Sequence, residues 1–189
     1  TARAHIGAAS AKEILFVGGT TDGINLVAQT WGRTHLSAGD CIVLTRMEHH
    51  SNIVPWQMLA LEHGFDILVV ELNEDGTLDG EMFEAHLARK PKLVAFTHVS
   101  NALGTVNDAK HWTSRAHDAG ATVLVDGAQS VPHSIKIMEL NKHGILLIQI
   151  TKNIQGLMIG SELCFMDNNT NGGSRCTLGG SRCTLGGSR

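Results

Sequence analysis

Apolar runs alternate with helical patterns along most of the chain. Four segments predict helices, at Thr21–Trp31, Ile53–His63, Gly80–Arg89 and Asp108–Ala119. Seven short runs rich in β-branched and other apolar residues predict strands, at Ile14–Val17, Cys41–Leu44, Ile67–Glu71, Leu93–Thr97, Thr122–Val125, Ile145–Ile150 and Leu163–Met166. Gly64 and Gly120 directly follow two of the helices, where C-caps belong. This alternation predicts an α/β fold with a mostly parallel sheet, whose ligands lie at the carboxyl ends of the strands.

The pattern changes at about Asp167. The rest of the chain repeats Gly-Gly-Ser-Arg-Cys-Thr-Leu with period seven. Each repeat has two glycines and one strongly apolar residue, so it does not predict a coiled coil. We predict one domain over residues 1–166 and a disordered, low-complexity tail over residues 167–189.

Composition narrows the function classes. A net charge of −3 gives no basic patch for nucleic acid, and no apolar run is long enough to cross a bilayer. The N-terminal segment lacks the apolar core of a signal peptide. The four cysteines lack zinc-site spacing and the eleven histidines form no HExxH motif, so we expect no metal. A reduced intracellular setting is expected, the cytoplasm first and an organelle as the alternative.

Asp126 carries the most informative charge in the chain. It follows the apolar run Thr122–Val125 and precedes Gly127, which places a carboxylate at the end of a buried strand. An isolated charge is costly there, so it is expected to face a cation, a metal or a protonated ligand ring.

The segment after the first strand, Gly18–Gly23, combines glycines and hydroxyls with the start of a helix. Backbone N–H groups and the positive end of the helix dipole suit a phosphate there. The alternative is that Thr21 only caps the helix. The segment is not a Walker A loop, because GGTTDGIN lacks the Gly-Lys-Ser/Thr ending.

Polar residues also follow two further strands. His49 could stack on an aromatic ligand and take part in proton transfer. Its alternative is a surface loop in which Ser51 or Asn52 caps the next helix. Asn101 could donate to a ligand oxygen or could only shape its turn.

Four fragments in this order, GGTTDGINLVAQTWG, MEHHSNIVPWQM, THVSNALGT and VLVDGAQS, closely resemble the cysteine desulfurases of the SufS/NifS type. These enzymes belong to the class V aminotransferase group, which depends on pyridoxal phosphate. The resemblance runs roughly from Ala2 to Ser134. It implies the large domain of fold-type-I pyridoxal-phosphate enzymes, truncated at both ends.

The same resemblance implies an activity and partners. Pyridoxal 5'-phosphate would be the cofactor, and L-cysteine would be converted to L-alanine with the sulfur transferred as a persulfide for iron–sulfur cluster assembly. The family is homodimeric and passes sulfur to an acceptor protein. The implied cofactor-binding residues are Thr20 and Thr21 at the phosphate, His49 stacked on the ring, Asn101 and Gln129 near the ring oxygen, and Asp126 at the protonated pyridine nitrogen.

Lys152 is the candidate Schiff-base lysine, which would also take the Cα proton of the substrate. Gln149 and Thr151 stand where the family pattern Ser-Gly-His-Lys has its serine and imidazole. The alternative is therefore a solvent-facing lysine after a strand. The family's thiolate loop has no counterpart here, so we expect an incomplete enzyme that does not complete desulfuration.

Two other interpretations stay open. The chain could be a catalytically dead cofactor-binding or interaction domain. It could also derive from another class V enzyme, such as a selenocysteine lyase, because the cofactor motifs are shared.

Overall fold

A sheet flanked by helices forms the core of the structure, a computed structural model that describes residues 14–130 and the strand segments 145–148, 161–164, 177–178 and 181–182. The strands are β1 (Ile14–Val17), β2 (Cys41–Thr45), β3 (Asp66–Val70), β4 (Leu93–Thr97), β5 (Thr122–Asp126), β6 (Ile145–Ile148), β7 (Ser161–Cys164), β8 (Thr177–Leu178) and β9 (Ser181–Arg182). The helices are α1 (Thr20–Val27), α2 (Val54–His63), α3 (Gly80–Leu87) and α4 (Ala109–Asp118). All seven predicted strands and all four predicted helices are present; β1 and β4 have the predicted ends, and the other elements are shifted at one end or both.

The main sheet has the strand order β1-β7-β6-β5-β4-β2-β3. Neighbours from β6 to β3 pair in parallel, whereas β7 is antiparallel to both β6 and β1. The carboxyl ends of β1, β2, β4 and β5 therefore lie at one edge of the sheet. The prediction of an α/β fold with a mostly parallel sheet is confirmed.

Side chains alternate between two core clusters, because successive residues of a strand point to opposite faces. On one face Val94, Phe96 and Val123 pack with α3 and α4 through Phe83 and Trp112. On the other face strand residues pack with α1 and α2; these include Ile42, Leu93, Ala95 and Leu124 from the strands and Ile24 and Trp56 from the helices. Helices on both faces leave the sheet edge as the place where polar groups collect.

The helix ends follow from local chemistry. Asp79 and Asp108 cap α3 and α4, since their carboxylates accept from the N–H groups of Met82 and His111 at 2.9 and 3.0 Å. Gly64 ends α2 with φ 76°, as predicted, a left-handed value that glycine adopts without strain. Gly120 has the same left-handed backbone after α4, with φ 84°.

Helix α1 differs from its prediction at both ends. It begins at Thr20 with Gly19 as N-cap, so the alternative that Thr21 caps this helix is wrong. After Val27 the chain continues through a π-helical turn, Ala28–Gly32, into a last helical turn at Arg33–His35. The predicted end at Trp31 therefore falls inside the π-helical turn.

Gly32 packs where a larger side chain does not fit. A Cβ there would lie 2.7 Å from Leu59 Cδ2 and 3.2 Å from Trp56 Cζ3, and both side chains are buried. We expect Gly32→Ala to lower the free energy of unfolding by about 1–2 kcal/mol, because overpacking outweighs the gain in helix propensity. In the control Gly80→Ala the new Cβ meets nothing within 4 Å, and stability should stay equal or rise. Urea unfolding compares the two variants, and equal stabilities would contradict the overpacking.

Within the predicted tail, residues 167–189, the structure describes only β8 and β9. These two strands pair with each other. The division at residues 166 and 167 therefore stays a prediction. Within the part of the chain that the structure describes, no helix is both long and apolar enough to span a membrane.

Candidate functional site

A cleft of about 180 Å³ opens at the carboxyl edge of the sheet. Segments that follow β1, β2, β4 and β5 contribute its walls, as expected for parallel strands whose ends meet. Its lining residues are Thr20, Thr21, His49, Ser51, Thr97, Val99, Asn101, Asp126, Ala128 and Gln129. Six of the seven residues proposed from the sequence are thus brought together in one place. Lys152, the seventh, lies outside the described residues.

Asp126 is the last residue of β5 and is only 4% exposed. Its Oδ1 accepts the N–H of Ala128 at 2.9 Å. Among residues 14–130 no salt bridge reaches this carboxylate. Burial raises the pKa of Asp126 above its ordinary value, and the Ala128 N–H and the nearby His49 offset part of that rise. The carboxylate can therefore stabilise a cation that enters the cleft.

His49 follows β2 and is held by the turn that it begins. It is the N-cap of a 3₁₀ turn, His50–Asn52, and its Nδ1 accepts the N–H of Ser51 at 3.2 Å. The Ser51 hydroxyl lies 2.9 Å from the same nitrogen. The alternative that Ser51 or Asn52 caps the next helix is wrong, because the N-cap of α2 is Ile53. The ring lines the cleft with its orientation fixed by local hydrogen bonds.

Thr20 and Thr21 form the first turn of α1, and no side chain caps this helix. The first N–H groups of a helix have no partner within the helix, and the dipole is positive at that end. Thr20 is buried and Thr21 is exposed. This wall of the cleft therefore suits an anion.

Asn101 and Gln129 lie on the two loops that leave β4 and β5, and both are exposed. A turn closes the first loop, because the N–H of Gly104 donates to Ser100 O at 3.0 Å. Gly104 has the left-handed φ of 73°. The second is closed by Ser130, whose N–H donates to Gly127 O at 3.0 Å. Asn101 lies in a turn and also lines the cleft, and its donation to a ligand oxygen stays a prediction.

Glu48 is a buried residue of this region that the sequence did not single out. Its side chain is 7% exposed, and burial raises its pKa to about 7, with the nearby Asp126 carboxylate adding to the rise. Hydrogen bonds from Thr45, Asn52 and the Thr97 N–H act in the opposite direction. No sequence signal marks it, because an acidic residue in a polar loop is normally exposed.

Comparison with known proteins gives a consistent result. The family model for class V aminotransferases matches residues 1–148. A cysteine desulfurase of Enterobacter sp. (strain 638) is 55% identical over 130 residues, which cover 69% of this chain and 32% of the relative. The chain thus spans about a third of the length of the curated relatives that it matches.

Solved structures agree with the fold. The apo structure of the cysteine desulfurase from Thermococcus onnurineus NA1 superposes with a TM-score of 0.78 at 35% identity, covering 86% of this chain and 40% of that one. The S-sulfonic acid form of the cysteine desulfurase CsdA from Escherichia coli gives 0.76 at 27% identity, covering 88% and 41%. The family is generally dependent on pyridoxal phosphate. The chain belongs to the class V aminotransferase family.

Proposed function

We propose that this chain binds pyridoxal 5'-phosphate in the cleft at the sheet edge and is the cofactor-binding part of a cysteine desulfurase. The observation that carries the proposal is Asp126, a buried carboxylate that lines the cleft without a salt bridge among the described residues. A protonated pyridine ring supplies the cation that such a carboxylate requires.

The other walls fit the remaining parts of this cofactor. The first turn of α1 with Thr20 and Thr21 would hold the phosphate, since it combines helix N–H groups with hydroxyls. The flat His49 ring would stack on the pyridine face. Asn101 and Gln129, both with exposed amides beside the cleft, would bind the ring oxygen.

When bound, the cofactor supplies an electron sink for the carbanion at the substrate Cα. The protein's part is to keep the ring nitrogen protonated through the buried Asp126 carboxylate. Lys152 would attach the cofactor and move the Cα proton. L-cysteine as the substrate, a homodimer, a sulfur-acceptor partner and a role in iron–sulfur cluster assembly are parts of the same proposal, supported by the desulfurase relatives.

The first test is covalent trapping. We expect the purified chain, incubated with pyridoxal 5'-phosphate and reduced with borohydride, to carry the added mass on the peptide that contains Lys152. Lys152→Ala should abolish that adduct, whereas Lys142→Ala, the matched control, should retain it. An adduct spread equally over exposed lysines such as Lys90 and Lys110 would contradict a specific site, and would favour a domain without this cofactor.

The substrate is tested separately. Comparing proton exchange at the Cα of L-cysteine and L-selenocysteine in the loaded protein distinguishes a desulfurase from a selenocysteine lyase. We expect L-cysteine to exchange at least as fast. Exchange confined to L-selenocysteine would overturn the desulfurase assignment.

A further inference from the structure

Glu48 is a buried acid beside one of the walls of the cleft. It directly precedes His49, and no salt bridge involves it among residues 14–130. A buried carboxylate is costly unless its oxygens are occupied by donors. Glu48 meets that requirement through three other residues.

Three donors from different parts of the fold converge on this carboxylate. Oε1 accepts the Thr45 hydroxyl at 2.5 Å and the backbone N–H of Thr97 at 2.9 Å. Oε2 accepts the side-chain amide of Asn52 at 2.6 Å. Thr45 ends β2 and Thr97 ends β4, so the side chain ties two strand ends to the segment that follows β2.

These bonds hold the segment that carries His49 at both ends. Glu48 is the residue before His49, and Asn52 closes the turn because its N–H donates to His49 O at 2.8 Å. The third bond, to Thr97, reaches the neighbouring strand, and Thr97 stands opposite Asp126 in the pairing of β4 with β5. Glu48 therefore links the His49 wall of the cleft to the strand beside Asp126.

We infer that Glu48 is a positioning residue, whose buried carboxylate fixes the His49 imidazole against the cofactor ring beside Asp126. This inference rests on the proposed binding of pyridoxal 5'-phosphate. It concerns the geometry of the chain itself, so part of it can be measured without the cofactor.

Glutamine has nearly the same shape but cannot replace the carboxylate. If the glutamine NH₂ takes the place of Oε2, it faces the NH₂ of Asn52. The Asn52 amide is held in that orientation because its Oδ1 accepts the Trp56 Nε1–H at 3.1 Å. If the glutamine NH₂ takes the place of Oε1, it faces the Thr97 N–H. Either orientation leaves two donors opposed in a buried site, which is unfavourable.

A double-mutant cycle tests whether Glu48 acts through His49. We expect Glu48→Gln and His49→Ala each to weaken binding of pyridoxal 5'-phosphate by about tenfold. The double variant should bind within about twofold of His49→Ala alone, because residues that act together are not additive. Independent effects, about 100-fold weaker binding in the double variant, would overturn the inference. Glu84→Gln, which removes a half-buried carboxylate paired with Arg115, is the matched control and should leave binding unchanged.

A second measurement uses the cofactor-free chain. Because Ser51 N–H donates to Nδ1, a neutral His49 ring carries its proton on Nε2. We expect ring ¹⁵N NMR signals of that single tautomer in the parent chain and signals averaged over both tautomers in Glu48→Gln. Unchanged ring signals in the variant would overturn the positioning role. If the parent chain shows the expected signals but binds no cofactor, the proposed function fails and the positioning role stands on this measurement.

Circular dichroism first establishes that the variant folds. If Glu48→Gln does not fold, Thr45→Val takes its place in both experiments, since it removes a single donor to the carboxylate. The expected effect of Thr45→Val is smaller, about threefold weaker binding of pyridoxal 5'-phosphate. This effect should disappear when Thr45→Val is combined with His49→Ala. A Thr45→Val effect that persists in the His49→Ala background would contradict the inference equally.

Discussion

Asp126→Asn is expected to raise the stability of the cofactor-free chain and to weaken its binding of pyridoxal 5'-phosphate. Burial raises the pKa of Asp126, so holding its charge in the folded state at neutral pH costs free energy that asparagine does not cost. The melting temperature should rise by about 2–4 °C, which corresponds to about 1 kcal/mol in a domain of this size. Binding of pyridoxal 5'-phosphate should weaken at least about tenfold, because the partner of the protonated ring nitrogen is lost.

The same variant should slow exchange of the substrate Cα proton by roughly 100-fold, since a neutral amide does not hold the ring proton. Differential scanning fluorimetry, equilibrium dialysis and NMR in D₂O measure the three effects. Glu74→Gln, which removes an equal charge from an exposed position, should change none of them. Unchanged proton exchange in Asp126→Asn would refute the electrostatic role of this carboxylate, and a lower melting temperature would refute the cost of its burial.

Glu48 is expected to make the parent chain less stable as pH rises from about 4.5 to about 7. The ordinary pKa of a glutamate, 4.5, applies to Glu48 in the unfolded state, and its pKa in the folded state is about 7. Between these two pH values the folded state therefore binds more protons than the unfolded state. Stability therefore falls with rising pH in this window, by up to about 3 kcal/mol from this group alone. Glu48→Gln should lack this component, so the stability difference between parent and variant should shrink as pH rises.

Other titratable groups act in neighbouring pH ranges. Those that do not interact with Glu48 cancel in the difference between parent and variant, whereas Asp126, whose charge raises the pKa of Glu48, cancels only in part. Asp126, with its raised pKa, acts in the same direction as Glu48. Burial lowers the pKa of His98, which acts in the opposite direction below about 6.5. Hydrogen bonds lower the pKa of Glu71 and of the exposed Asp75, so the stability that these two groups contribute is lost only at lower pH. Urea unfolding at several pH values measures the difference, and ¹³C NMR titration of the Glu48 carboxyl checks it in the parent chain. A carboxyl that titrates near 4.5 would contradict the expectation.

The strands and helices could be predicted because their information is local. Short β-branched runs such as Leu93–Thr97 and glycines at left-handed C-caps such as Gly64 act within a few residues. The grouping of Asp126, His49 and Asn101 was also predictable, since the ends of parallel strands meet at one edge. Their roles toward the cofactor, and those of Thr20, Thr21, Gln129 and Lys152, stay predictions.

The details that the sequence missed depend on distant neighbours. Glu48 is buried because donors on β2, β4 and the turn before α2 converge on it, and no pattern within Met47–Ser51 encodes those donors. The first residue of α1 was missed by one position, because the helix was predicted from Thr21 and begins at Thr20, after Gly19, which has no capping side chain. Local preference indicates where a helix begins, but packing decides the residue.

The position of β1 as the outermost strand of the sheet has a consequence for the order of folding. Its sole neighbour in the described sheet is β7, and Ile14 pairs with Cys164. On a ribosome that adds roughly 5–20 residues per second, β1 waits on the order of ten seconds for this partner. The strands β2 to β5 can pair with one another during that time. We therefore expect the wall at the first turn of α1, which follows β1, to be the last of the described walls of the cleft to be completed, although it is synthesised before the others.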